Sequence, residues 1–395
     1  LLNPGLKDDP IENGSGLSIP LMSGSMDFSA IGTVTYRKGE RLVAFGHPFW
    51  QMGNVDAPMA SAHIFTVVPS FYRPFKIGAS VREVGSIRQD RLSAVGGHFG
   101  TQAPTFDLQV VVHKTHEGDK KETTGRTFDY RIWENAMIGP MLADIALSES
   151  IINSDKFMGN SAARIRYGIT LADGSKIEKE DFMATDSILA FRITMPLYYD
   201  LYLLMNNPFQ KTDVNSVDIR VDLYDKFQAV AMETAVLNKD VYRPGETVEA
   251  RVYFMPYRKE RFSRTFSIKL PEDLRDGIYT LGILNGEQRT QIEFRRSPGM
   301  GKVFSYEALL KFVRIAYPGN RLYLLLTQPE AGIRINENEM PALPMSVMAP
   351  THSSTPQTFA APVSMNFLKE ESLETEYEIM GSQYLQVRVD RRGRR

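Results

Sequence analysis

The sequence predicts a mainly β protein in which a barrel or sandwich of short strands precedes smaller sandwich modules, with a few short helices. Three observations lead there. From Ile19 to about Val112, short apolar or alternating runs are separated by Gly and Pro, the rhythm of all-β barrels and sandwiches. From about Val230 a second such stretch opens, with Tyr242-Arg243-Pro244-Gly245-Glu246-Thr247-Val248 reading as a turn that enters a strand. Helical periodicity is confined to isolated stretches. A chain of 395 residues is too long for one ordinary core, and its changes of pattern divide it into residues 1–158, 159–228, 229–298 and 299–395.

In the first segment Ala30 to Tyr36 reads as a strand, Lys38-Gly39 as a turn, and Leu42 to Phe45 as a strand that stops at Gly46-His47-Pro48. His63 to Val68, Ser80 to Val84 and Phe106 to Val112 extend the series. Asn135 to Ile152 spaces Met137, Met141, Ile145 and Ile152 behind a capping Asn135, so a helix should close this domain despite Gly139-Pro140. In the second segment, alternation puts Ile165, Tyr167 and Ile169 on one strand face, and a turn follows at Asp173-Gly174. Met195 to Met205 suits a short helix opened by Pro196, and Val217 to Tyr224 an alternating strand. The third segment has a strand over Glu249 to Met255, and its Asp276 to Leu281 resembles the late strands of immunoglobulin-like modules. In the fourth, Ser305 caps a helix over Tyr306 to Ala316 with Glu307 in the first turn. Residues Pro341 to Pro362 have the composition of an exposed connector, and Glu376 to Met380 with Tyr384 to Val389 read as a closing strand pair about Gly381-Ser382.

Composition removes several function classes. With 46 basic and 47 acidic residues and a net charge of -1, the chain as a whole gives no reason to expect nucleic acid or an anionic membrane as partner, so any binding surface must be local. The terminal Arg391-Arg392-Gly393-Arg394-Arg395 reads as a solvated tail. The absence of cysteine excludes disulfides, thiolate chemistry and Cys-ligated metals. No phosphate loop, dinucleotide fingerprint or zinc-protease helix motif occurs, so neither a cofactor nor a metal is expected. The most apolar stretch, around Ile188 to Met205, carries Arg192, Pro196 and Asp200, so no membrane-spanning helix is expected. The start, Leu1-Leu2-Asn3-Pro4-Gly5, lacks Met, a basic region and an apolar region, and reads as an internal position of a longer precursor whose signal peptide is not in this chain.

The most informative stretch runs from Ala30 to Gly100. Gly32-Thr33-Val34-Thr35-Tyr36, Ala44-Phe45-Gly46-His47-Pro48, Gly85-Ser86-Ile87-Arg88-Gln89-Asp90-Arg91 and Gly96-Gly97-His98-Phe99-Gly100 follow one another at strand-like intervals. These segments resemble the SpoIVB-type serine peptidase family over roughly the first 110 residues. Arg243-Pro244-Gly245 and Leu343-Pro344-Met345-Ser346 extend a weaker resemblance to the long bacterial relatives over nearly the whole chain. The resemblance implies a trypsin-like barrel domain in residues 1–158, incomplete without a serine-bearing segment, followed by β-sandwich and immunoglobulin-like modules. It also implies an extracytoplasmic bacterial setting and a protein substrate or self-cleavage. It maps the general base onto His47, whose neutral imidazole, with an ordinary pKa of roughly 6.5, can take a serine proton if its orientation is held.

The nucleophile of that family belongs to a Gly-Met-Ser-Gly-Ser-Pro element. Here Met22-Ser23-Gly24-Ser25-Met26 reproduces only its centre, so the serine is expected on a segment outside this chain, upstream or on another subunit, which would be the protein partner. Asp56, nine residues beyond His47, is a weak candidate for the acid. Against this, a lone histidine at a Gly-His-Pro turn can be a hydrogen-bonded turn residue, and the whole chain a non-catalytic scaffold built on a degenerate peptidase domain. His113 and His116 beside Glu117 and Asp119 fit a solvated hairpin tip better than a metal site. His63 is expected to pack in a strand and His98 to sit in a turn. The aromatic residues Phe45, Phe49, Trp50, Phe71, Tyr72 and Phe75 are expected to fill a core or cleft wall.

Overall fold

The computed structural model describes residues 2–72, 74–116, 122–156, 158–296, 305–335, 338–340 and 360–392. The chain is mainly β, as its alternating patterns predict, with several sheets and four helices among the described residues. Residues 341–359 of the expected connector lie outside the described residues, as do Leu343-Pro344-Met345-Ser346, Glu117, Asp119, the side chain of His116 and residues 393–395. No described helix is long and apolar enough to cross a membrane.

The first sheet is assembled in chain order from β1 (Gly16–Gly24), β2 (Phe28–Lys38), β3 (Arg41–Ala44), β4 (Gly53–Val68), β5 (Phe75–Arg91), β6 (Ala94–Phe99), β7 (Thr105–His116) and β8 (Glu122–Trp133). After helix α1 (Gly139–Ile152) come β9 (Ser161–Leu171), β10 (Lys176–Thr185), helix α2 (Leu189–Met205) and β11 (Val214–Tyr224). Spatially the strands run β10-β9-β11-β7-β8-β1-β2-β3-β6-β5-β4, and β4 meets β1 again. Six antiparallel strands therefore curl back on themselves. β1 makes this possible by changing partner along its length: Leu17 and Ser18 face Ser61 and Ala60 of β4, whereas Met22 to Gly24 face Ile132 to Tyr130 of β8. A register shift between Pro20 and Met22 marks the change, as bulges do where a strand must bend.

The half of the sheet that does not close on itself, β10-β9-β11-β7-β8, carries the helices. β11 lies parallel to β7 and antiparallel to β9, so the sheet and one apolar core run without a break through residue 158. α1 starts at Gly139, four residues after the expected cap; Asn135 instead holds the preceding turn through the backbone N–H groups of Met137 and Ile138. α2 begins seven residues before Pro196, which sits inside it. Burial of Leu189, Ala190, Ile193, Leu197, Leu201 and Leu204 outweighs the roughly 3 kcal/mol that an interior proline costs a helix.

The remaining strands are β12 (Ala229–Leu237), β13 (Val241–Tyr242), β14 (Thr247–Pro256), β15 (Phe262–Lys269), β16 (Gly277–Leu284), β17 (Arg321–Ile335), β18 (Asn338–Met340), β19 (Ala360–Glu374), β20 (Glu378–Met380) and β21 (Ser382–Val389). Helices α3 (Gly286–Arg296) and α4 (Tyr306–Val313) fall between β16 and β17. One sheet has the order β15-β14-β12-β20; the other runs β13-β21-β16-β17-β18, with β19 also on β17. Val248, Val252, Phe254 and Phe266 of the first share a core with Leu281, Leu324, Leu326 and Val387 of the second. This two-layer core draws on both 229–298 and 299–395. The closing strands β20 and β21 do not pair with each other: each joins a different sheet, and Gly381, at φ 88°, makes the turn between them.

Candidate functional site

His47 stands on a short loop after β3 whose backbone is unusually constrained. Phe45 and Gly46 have φ angles of 75° and 74°, and Gln51 has 59°. Left-handed backbone at a bulky residue such as Phe45 is strained and must be held by its surroundings. Two contacts hold it. The Phe45 N–H donates to the Thr33 carbonyl at 2.8 Å, and its ring lies over Gly32 so closely that a Cβ there would stand 2.1 Å from it. The Gly-Thr strand thus carries glycine because an aromatic ring occupies the space of a side chain.

Beyond His47 the loop is tied to a buried carboxylate. Asp90, only 1% exposed, accepts from the backbone N–H of Phe49 through one oxygen (2.8 Å) and from those of Trp50 (2.8 Å) and Met52 (3.1 Å) through the other. Three donors on an ionised acceptor satisfy a charge that would otherwise be costly to bury. The sequence contains this aspartate in Gly85-Ser86-Ile87-Arg88-Gln89-Asp90-Arg91, but the 38 to 41 residues that separate it from its partners hide the pairing.

His47 itself is exposed. Its Nδ1 lies 2.8 Å from the Pro48 carbonyl oxygen, and its ring centroid 5.8 Å from that of Phe45. A carbonyl can only accept, so Nδ1 carries the hydrogen and, in the neutral ring, Nε2 keeps its lone pair. The arrangement therefore presents a proton acceptor to solvent, with a backbone carbonyl in the place where hydrolases commonly use a carboxylate.

The other expected partners are not gathered around it. The Asp56 carboxylate pairs with Arg88 at 2.8 Å, its other oxygen is buried without a hydrogen-bond partner, and its carbonyl accepts from the Trp133 indole at 2.7 Å. Ser23 is buried in β1 opposite Arg131, and the Ser25 hydroxyl accepts from the Asp129 N–H at 3.0 Å. Gly24 between them, at φ 118°, approaches the Asp129 carbonyl so nearly that a Cβ would lie 2.2 Å from that oxygen. Met22-Ser23-Gly24-Ser25 is thus accounted for by the crossing of β1 and β8. Comparison with family models, curated proteins and solved structures gives no match.

Two expectations need correction. His98 is a residue of β6, not of a turn, and its Nδ1 lies 2.9 Å from the Phe99 carbonyl. Of the aromatic residues, Phe45 and Phe49 pack against the core, but Trp50, Phe71, Tyr72 and Phe75 are exposed; the long β4–β5 ribbon carries the last three past the packed part of the sheet. His63 lies in β4 edge-on to Phe65, with centroids 5.3 Å apart. His113 faces Asp222 of β11 at 3.4 Å, and no cluster of three potential metal ligands occurs among the described residues.

A second charged cluster escaped sequence reading because its members are scattered along the chain. It lines a cleft of about 590 Å3 between β10, α2, α3 and β20. Asp181 accepts through a single oxygen from the N–H groups of Phe182 (2.7 Å) and Gly319 (2.9 Å). Burial pushes its carboxyl up to about 6, against those two hydrogen bonds. Glu378 accepts from the Ala184 N–H at 2.7 Å and is gripped by both ends of the Arg192 guanidinium. Deeper in, Asp200 receives the Tyr167 hydroxyl at 2.7 Å and Lys179 at 2.8 Å. Burial raises its carboxyl above the usual range although Lys179 opposes this, and burial beside Asp200 raises the Tyr167 hydroxyl strongly.

Proposed function

We propose that this chain is the histidine-bearing portion of a SpoIVB-like serine endopeptidase acting on protein substrates or on itself. In this reading the six curled strands are a trypsin-like barrel, the later sheets immunoglobulin-like modules, and the setting extracytoplasmic and bacterial. The observation that carries the reading is the Nδ1–H bond from His47 to Pro48, which leaves an exposed Nε2 acceptor on a loop clamped by Asp90. A serine from a segment outside this chain would give its proton to Nε2 as its oxygen attacks the scissile carbonyl. The imidazolium would then return that proton to the departing amine. A non-catalytic scaffold is the second reading, favoured by the structural employment of Ser23, Ser25 and Asp56.

One experiment separates them. Residues 1–395 alone should neither cleave casein nor take up a serine-directed phosphonate. Co-expression with a Gly-Met-Ser-Gly-Ser-Pro segment, found by reading the coding sequence upstream of Leu1, should restore labelling, and His47→Ala should reduce it by at least ~1000-fold. Absence of labelling in the pair, or labelling indifferent to His47→Ala, leaves the scaffold.

A further inference from the structure

The ribbon of β4 and β5 ends in a feature that no core explains. Past Ser61, β4 pairs only with β5 among the described residues. The two strands run on to a turn at the far end of β4 from Gly53, where the loop held by Asp90 joins it. Phe65, Val67, Phe71, Tyr72, Phe75 and Ile77 are all exposed there, and Phe71 and Tyr72, between Pro69 and Pro74, are fully in solvent. Val67 lies beside Lys76 on one face of the ribbon and Phe75 and Ile77 on the other, so the tip is apolar on both sides, and solvated apolar side chains gathered in this number mark a contact site.

The charges of the ribbon say what the contact is. From Ser61 to Arg82 there is no acidic residue, whereas Arg73, Lys76 and Arg82 are basic. Arg82 is neutralised by Asp8, but Lys76 donates to the uncharged hydroxyl of Thr33. The net charge of the whole chain conceals this local excess. A protruding tip is poorly shaped for a peptide or helix, which needs a groove or pocket. It is well shaped for a bilayer, where aromatic rings settle at the headgroup level and cations behind them meet lipid phosphates.

We propose that the β4–β5 turn is a membrane-docking element that places Phe71 and Tyr72 in the interfacial layer of an anionic bilayer. The proposal does not depend on the role of His47. Flotation of the full chain with vesicles of phosphatidylcholine, with or without phosphatidylglycerol, tests it. Binding should require the anionic lipid and weaken as salt is added. Phe71→Ser with Tyr72→Ser should lower the partition coefficient at least ~10-fold, and Lys76→Gln about 5-fold. The double variant changes only solvated side chains, so its thermal midpoint should match that of the parent. The proposal fails if the parent chain does not float with anionic vesicles or if the double variant floats equally well. It also fails if sedimentation equilibrium shows self-association abolished by the double variant while vesicles are ignored, since a second copy of the chain would then cover the tip.

Discussion

At the scale of single residues, the residues around His47 divide into those that present it and those that could react with it. Asp90 belongs to the first group, and its two oxygens receive three N–H groups between them. Asp90→Asn replaces one acceptor oxygen with an amide donor, and either orientation sets that donor against at least one N–H. The expected cost is ~2 kcal/mol, with faster hydrogen exchange at Phe49, Trp50 and Met52; unchanged protection there would show that the clamp is dispensable. The sequence made His47 conspicuous through Gly46-His47-Pro48 and supplied Asp90 in a recognisable string, yet it could not join them. Contacts across some forty residues depend on which strands become neighbours, and local pattern does not specify that. The same limit hid why Met22-Ser23-Gly24-Ser25 reproduces the centre of the serine element: Gly24 is required by the crossing of β1 and β8.

At the scale of elements, legibility followed the kind of force that holds each one. Strands with alternating apolar residues, and α4 with its Ser305 cap accepting from Ala308, were readable because burial and capping leave periodic traces. Helix α3 carries a cap, Asn285 accepting from the Gln288 N–H, but little apolar periodicity, being fastened by charge: Arg289 reaches Glu293 and Glu370, Arg296 reaches Glu293 and Glu339, and both guanidinium groups lie over Phe367. The docking of α2 on β9 and β10 likewise contains a buried polar joint, in which Asp200 of α2 meets Tyr167 of β9 and Lys179 of β10. Lys179→Met would leave the Asp200 carboxylate buried with only the Tyr167 hydroxyl, an expected loss of ~3 kcal/mol in urea unfolding. Adding Asp200→Asn removes the stranded charge and should recover most of that loss. If the double variant is as unstable as the single one, Lys179 acts through packing of its stem and not through its charge.

At the scale of the whole molecule, the first core and the sandwich meet where Asp181 and Glu378 approach one another, and this junction gives folding a pH dependence of definite sign. The Asp181 carboxyl is held at about 6 in the folded chain against an ordinary 3.8, because burial penalises its charged form more than the Phe182 and Gly319 N–H groups favour it. Glu378 raises it further, and Arg192 opposes. Between about pH 4 and pH 6 the folded chain therefore binds a proton that the unfolded chain has released. The contribution is fully present at and below about pH 4, and it is lost as pH rises through about 6. The difference in stability amounts to ~2–3 kcal/mol. Asp181→Asn offers the test, since one amide oxygen can accept from both Phe182 and Gly319, as one carboxylate oxygen does now. That variant should be more stable than the parent at pH 8, should lose the advantage towards pH 4, and should flatten this part of the pH profile in urea unfolding. A variant less stable than the parent at pH 8 would mean that the negative charge of Asp181 strengthens the junction, through Arg192, by more than its burial costs.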